Sequence, residues 1–304
     1  MKRAIITGPT GTIGSALCDV LIQNNYEVYA ICRVNSSNIK KLKKSENLKV
    51  IECNLDSISE LSEKLDKDFD VFFHLAWGGT IGEGRNNPQL QLDNVKYTLD
   101  ALLLAQKLGC TVFIGAGSQA EYGHFLCPPD EKTVCKPFTL YGASKLAAGH
   151  ISRIYAEQLG IKHIWTRIFS VYGPNDDENT LISYVINELS NKRVPKLTKC
   201  EQIWDYLYSY DAAKALFLLS EKGKDGKTYC IGSGKKRVLK DYVLDIKNII
   251  DPKLKIDFGA KTYGENQVMF LSADISDLEN DTEFKQEYSF DKGIRSILKC
   301  RGDN

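Results

Sequence analysis

A chain of 304 residues can bury a substantial core, as one large domain or two smaller ones, and 43% hydrophobic with 26% charged residues is ordinary for a globular protein. A formal net charge of +1 argues against nucleic acid or a membrane surface as a partner. Nine cysteines, an odd count without a C-x-x-C pair, and four histidines without metal-ligand spacing argue against a disulfide frame and against a metal site. No apolar run reaches bilayer length, and the N-terminus enters a strand and a glycine turn within eight residues, as expected of a cytoplasmic protein.

Residues 4–7 read as a short buried strand, followed by Gly8-Pro9-Thr10-Gly11-Thr12-Ile13-Gly14, a helix over 15–23 and a second strand over 27–31. Strand, glycine turn, helix, strand is the order that a dinucleotide site needs. The glycines allow a tight turn and close approach to a pyrophosphate, and the helix N-terminus supplies N–H donors. Gly8, Thr10, Gly11, Thr12, Ile13 and Gly14 are therefore candidate cofactor contacts. The spacing T-G-x-x-G-x-x-G resembles the opening of the extended branch of the short-chain dehydrogenase/reductase family. At the end of the second strand stand Cys32 and Arg33 in place of an acid. Arg33 can pair with a 2′-phosphate, which favours NADP, with NAD the alternative.

A third strand over 48–53 leads to Asn54-Leu55-Asp56, where the resemblance places adenine contacts: Leu55, with Asn54 or Asp56 as the polar partner. A helix over 57–65 precedes an almost continuous apolar strand over 70–77, as a parallel sheet covered on both faces demands. Its His74-Leu75-Ala76-Trp77 resembles the family's H-L-A-A, which implies cofactor contacts at Leu75 and Ala76 and a structural role for His74. The glycine-rich stretch 78–87 is expected as a mobile loop near the substrate. A helix over 88–108 follows, with Asn94 implied by the resemblance to hold backbone and a water near a catalytic lysine.

A strand over 111–115 runs toward Ser118, and a proline-rich loop leads to Tyr141-Gly142-Ala143-Ser144-Lys145. On a helix, Tyr141 and Lys145 share a face, and the ammonium is expected to lower the phenol pKa toward neutrality. By resemblance, Ser118, Tyr141 and Lys145 are the catalytic set: Ser118 polarises a carbonyl, Tyr141 transfers the proton, and Lys145 holds the nicotinamide ribose. Dehydratases of this branch carry an acid pair after the catalytic hydroxyl residue; here Gln119 and Ala120 stand there, and Glu121 comes one place later. Further matches are Arg167 to Pro174, Trp204 to Asp211 and Tyr229 to Gly234, with a helix expected over 181–191. Ser170 and Trp204 depart from an Asn and an Arg that often lie near a substrate diphosphate.

The expected fold is a doubly wound parallel α/β sheet over 1–172, with a smaller C-terminal α/β substrate lobe over 173–304 that can cross back to the first domain. The expected reaction is NADP-dependent reduction of a keto group, C4 foremost, of a nucleotide-activated deoxysugar. The alternatives are an NAD-dependent nucleotide-sugar C4-epimerase, a reductase of a small carbonyl metabolite, or a non-catalytic NADP-binding protein. The resemblance also implies a homodimer through the helices over 88–108 and 141–159.

Overall fold

The computed structural model describes residues 1–264 and 267–302. In chain order the first half forms β1 (Lys2–Thr7), α1 (Thr12–Gln23), β2 (Tyr26–Cys32), β3 (Leu48–Glu52), a short α2 (Leu61–Lys64), β4 (Val71–His74), α3 (Pro88–Lys107), β5 (Val112–Ser118), α4 (Leu140–Leu159) and β6 (Lys162–Ile168). Then come β7 (Ser170–Tyr172), α5 (Leu181–Ser190), β8 (Lys196–Leu197), β9 (Ile203–Trp204), β10 (Tyr206–Tyr208), α6 (Ser209–Lys222) and β11 (Thr228–Ile231). The chain closes with β12 (Arg237–Val238), α7 (Leu239–Ile250), β13 (Asp257–Phe258), α8 (Ser276–Thr282) and α9 (Phe290–Arg301).

Seven strands make one parallel sheet in the order β11-β6-β5-β4-β1-β2-β3. Alternate side chains of the central strands enter different cores, because successive residues point to opposite faces. Ala4, Ile6, Val71 and Phe73 pack with α1 and α6, while Ile5, Phe72 and Phe113 pack with α3 and α4. The chain crosses back after β10: α6 packs on α1, and β11 joins the sheet beside β6. A third core, with Tyr172, Val185, Tyr208, Val243 and Ile294 among its members, holds α5, α7 and α9 together.

Three local expectations are revised. The strand expected over 70–77 ends at His74: Leu75 N closes the last rung with Thr7 O at 3.2 Å, and Ala76 N then turns to the Thr7 side chain, donating to Oγ1 at 3.3 Å. The strand expected over 111–115 instead runs to Ser118, paired throughout with β6. Gly115 and Gly117 allow this, since a methyl group at either would collide with the Trp165 indole. The helix expected over 57–65 is a tight turn, Leu55–Glu60, before α2, in a serine-rich segment where Ser57 and Ser62 bond locally.

Candidate active site

The glycine turn folds as its spacing demands. Gly8 has φ +70, and a Cβ there would lie 2.8 Å from Ala76 N, so only glycine lets β4 pass this close. A Cβ on Gly14 would collide with Gly8 O. Gly11 caps α1 without a side-chain acceptor, leaving the first N–H groups of the helix to a ligand.

Two cavities, of about 620 and 480 Å3, meet at Gly8 and Trp77, which line both. Gly11, Thr12, Ile13, Gly14, Leu75, Ser118, Tyr141 and Lys145 line the larger one. Thr10, Arg33, Asn54, Leu55, Ala76 and Asn94 line the smaller, with Asp56 and Tyr97. Every candidate cofactor-binding and catalytic residue named from the sequence thus lines one of these two adjoining cavities, along the carboxyl ends of β1, β2, β4 and β5. A turn closed to a Cβ at Gly8 and Gly14, helix N–H groups without a side-chain cap and a cleft of this length fit a dinucleotide.

At the smaller end, Asn54 Oδ1 accepts from Val34 N at 3.2 Å, which shapes the turn bearing Arg33. Glu52, in register with Cys32 in the neighbouring strand, is a carboxylate that strand-end reasoning missed; its Oε2 accepts from Asn35 N at 3.1 Å. Asn94 holds the backbone beyond β4: its Oδ1 accepts from Gly78 N at 2.8 Å, and its Nδ2 donates to Gly78 O at 2.9 Å. His74 lies between the Thr7 and Thr98 hydroxyls, at 3.0 and 3.3 Å, and burial lowers its pKa to about 3, so it is neutral and structural.

In the larger cavity, Thr139 caps α4 by accepting from Gly142 N, and the helix carries Tyr141 and Lys145 inward, 8% and 3% exposed. Lys145 Nζ donates to Ala116 O at 2.5 Å and lies 3.8 Å from the Trp77 ring centroid. Burial lowers its pKa to about 7. The expected effect of Lys145 on Tyr141 is corrected here: burial raises the Tyr141 pKa, and the groups that oppose it are Ser118 and Arg85. Burial wins because the phenol is almost wholly removed from water, while Lys145 Nζ stands 5.9 Å from its ring centroid. Trp77, Gln91 and Arg85 had no role in the sequence reading; a tryptophan where the family motif ends in alanine was the one visible signal.

Glu121 is fully buried, and its carboxylate accepts from Ser118 N at 2.8 Å, Arg167 Nε at 2.8 Å and Trp165 Nε1 at 3.1 Å. It fixes the end of β5 instead of facing the cleft. On the opposite wall the two departures pair with each other, Trp204 Nε1 donating to Ser170 Oγ at 2.9 Å. Trp204 and Tyr206 also line a third cavity of about 500 Å3 that contains Lys196 and Lys261. Among the described residues, no group of three or more His, Cys, Asp or Glu could hold a metal ion, and no helix is long and apolar enough to cross a membrane.

A model of the NAD dependent epimerase/dehydratase family matches residues 4–232. The chain belongs to this family. Its members are enzymes of NAD(P)-dependent oxidoreductase chemistry, and so is this protein. Over 98% of this chain and 98% of the relative it is 28% identical to CDP-abequose synthase of Salmonella typhimurium. It is 29% identical to a putative UDP-glucose 4-epimerase of Methanocaldococcus jannaschii, over 99% and 98%. Among solved structures, UDP-glucose 4-epimerase of Thermotoga maritima has the same fold, with a TM-score of 0.88 at 21% identity over 98% of this chain and 97% of that one. This epimerase/dehydratase-family chain thus shares the fold of that structure, with Trp77, Ser170 and Trp204 lining its larger cavity.

Proposed function

We propose that this enzyme reduces a keto group, C4 foremost, of a nucleotide-activated deoxysugar with NADPH. The observation that carries the reading is that Ser118, Tyr141 and Lys145 line one cavity with the glycine turn, while Glu121, which accepts from Ser118 N, is paired with Arg167. Tyr141 is thereby placed to transfer a proton, and Glu121 is not placed to eliminate water. The names of the relatives, a CDP-sugar synthase and a UDP-sugar epimerase, support a nucleotide sugar as substrate.

A bound nicotinamide supplies the hydride. The Ser118 hydroxyl donates to the carbonyl oxygen as charge develops on it. Tyr141 gives that oxygen its proton, and Lys145, whose Nζ donates to Ala116 O, would hold the nicotinamide ribose beside it. Arg33 would hold the 2′-phosphate. The lobe of α5, α7 and α9, within residues 173–304, would take the nucleotide end, with Lys196 and Lys261 as its cations. A homodimer through α3 and α4 accords with the exposed Leu92, Ile151 and Ile154, and light scattering checks it.

The second reading, an NAD-dependent C4-epimerase, is favoured by the epimerase relative and uses the same three residues. A panel of 4-keto and 4-hydroxy nucleotide sugars, with and without added NADPH, separates the two. NADPH-dependent reduction of a 4-keto sugar is the expected result; turnover of a 4-hydroxy sugar without added cofactor establishes the epimerase instead. Tyr141→Phe should lower turnover by roughly a hundredfold or more, and full activity in that variant would defeat the catalytic assignment. Arg33→Ala should weaken NADPH binding about tenfold while leaving NADH unchanged. Tighter binding of NADH than of NADPH by the wild type overturns the NADP preference.

A further inference from the structure

The segment between β4 and α3, expected as a mobile loop, is tied down on three sides. Gln91, 1% exposed, donates through Nε2 to Gly79 O at 3.0 Å and Gly84 O at 2.9 Å, while its Oε1 accepts from Trp77 Nε1 at 2.9 Å. Gly79 has φ +67, and a Cβ on Gly84 would lie 2.9 Å from Gly79 Cα, so the loop folds on itself through its glycines. Asn86 Oδ1 accepts from Leu140 N at 3.3 Å, which fastens the loop to the start of α4. The product of this folding is the placement of Arg85: Nη1 donates to Thr80 O at 2.9 Å, and the guanidinium carbon lies 4.3 Å from the Tyr141 ring centroid.

We propose that Arg85 is a positioning residue for proton transfer, holding the Tyr141 ring by its guanidinium face and favouring the phenolate form. The proposal rests on the reading of Tyr141 as the proton donor. Four other groups face Tyr141: Lys145 from α4, Trp77 from the end of β4, and Ser118 and Glu121 from the end of β5. Glu121 opposes the phenolate and is already paired with Arg167. Lys145 is half-neutral near pH 7, whereas an arginine stays charged throughout. Arg85 is therefore a second cation beside Tyr141, 4.3 Å from its ring centroid against 5.9 Å for Lys145, and it is in place only when the loop is folded.

The test needs no substrate. Subtracting the phenolate absorbance of Tyr141→Phe from that of the wild type, from roughly pH 6 up to the alkaline limit at which both proteins stay folded, about pH 12, isolates Tyr141 from the other tyrosines. The same subtraction is made in an Arg85→Gln and an Arg85→Lys background, with and without saturating NADP, and circular dichroism confirms that each protein is folded. Arg85→Gln should move the Tyr141 midpoint to higher pH by about half a unit or more, and Arg85→Lys by less. Coincident midpoints, or no Tyr141 phenolate signal in the wild type, overturn the proposal. If Tyr141→Phe keeps full turnover, the catalytic reading of Tyr141 fails instead, whatever the midpoints do.

Discussion

At the scale of single residues, the consequential groups are those whose surroundings change their chemistry. Lys145 is buried with one carbonyl and an indole face for company, and its pKa falls to about 7. The unfolded chain holds this proton up to about pH 10.4, so between these values the unfolded state binds more protons and stability rises with pH. The full cost of burying the charge is present below about pH 7 and is relieved toward pH 10. Lys145→Met should remove this slope, which is at most about 1.4 kcal/mol per pH unit. Urea unfolding of both cofactor-free proteins near pH 7 and 9.5 checks it, and parallel stabilities would sink the prediction. The Tyr141-x-x-x-Lys145 spacing was legible because helix geometry is local. Its electrostatics were not, because burial and Arg85 come from other parts of the chain.

At the scale of elements, the glycine turn and the end of β5 do different work. Gly14→Ala should cut NADPH affinity at least tenfold, measured by fluorescence titration, because its methyl group needs the place of Gly8 O and would lie 2.8 Å from Pro9 Cα. Unchanged affinity would mean that the turn is not the phosphate cradle. Glu121→Gln leaves Arg167 buried beside a neutral partner, 7% exposed, and should cost about 3 kcal/mol of stability. Loss of turnover at full stability would instead make Glu121 a catalytic acid and revive elimination. The turn was readable in the sequence because Gly8 and Gly14 answer local backbone demands. The ends of β4 and β5 were misplaced because apolar runs do not say where a ladder stops; Thr7 ends one, and the glycines against Trp165 prolong the other.

At the scale of the whole molecule, β11 joins the C-terminal half to the main sheet beside β6, and a buried carboxylate ties the segment after β11 to the one between β9 and β10. Asp205, fully buried between β9 and β10, accepts from Ser233 N and Oγ at 2.8 and 2.6 Å, and from Gly234 N and Ala273 N at 3.0 and 3.3 Å. Asp205→Ala orphans these donors and should lower stability by about 3 kcal/mol or more. Far-UV and tryptophan signals should shift together in urea; a shift in one alone would show that the halves unfold separately. The sequence by itself determined the alternating strands and helices and the glycine turn, because these rest on periodicity and backbone freedom within short stretches, and motif order pointed to Ser118, Tyr141 and Lys145, which line one cavity. Only the tertiary structure decided that Glu121 serves Arg167 across 46 residues, that Ser170 and Trp204 satisfy each other across 34, and that Arg85 lies on Tyr141. Each of these depends on which distant side chain fills the last position around a buried polar group, and no local pattern encodes that.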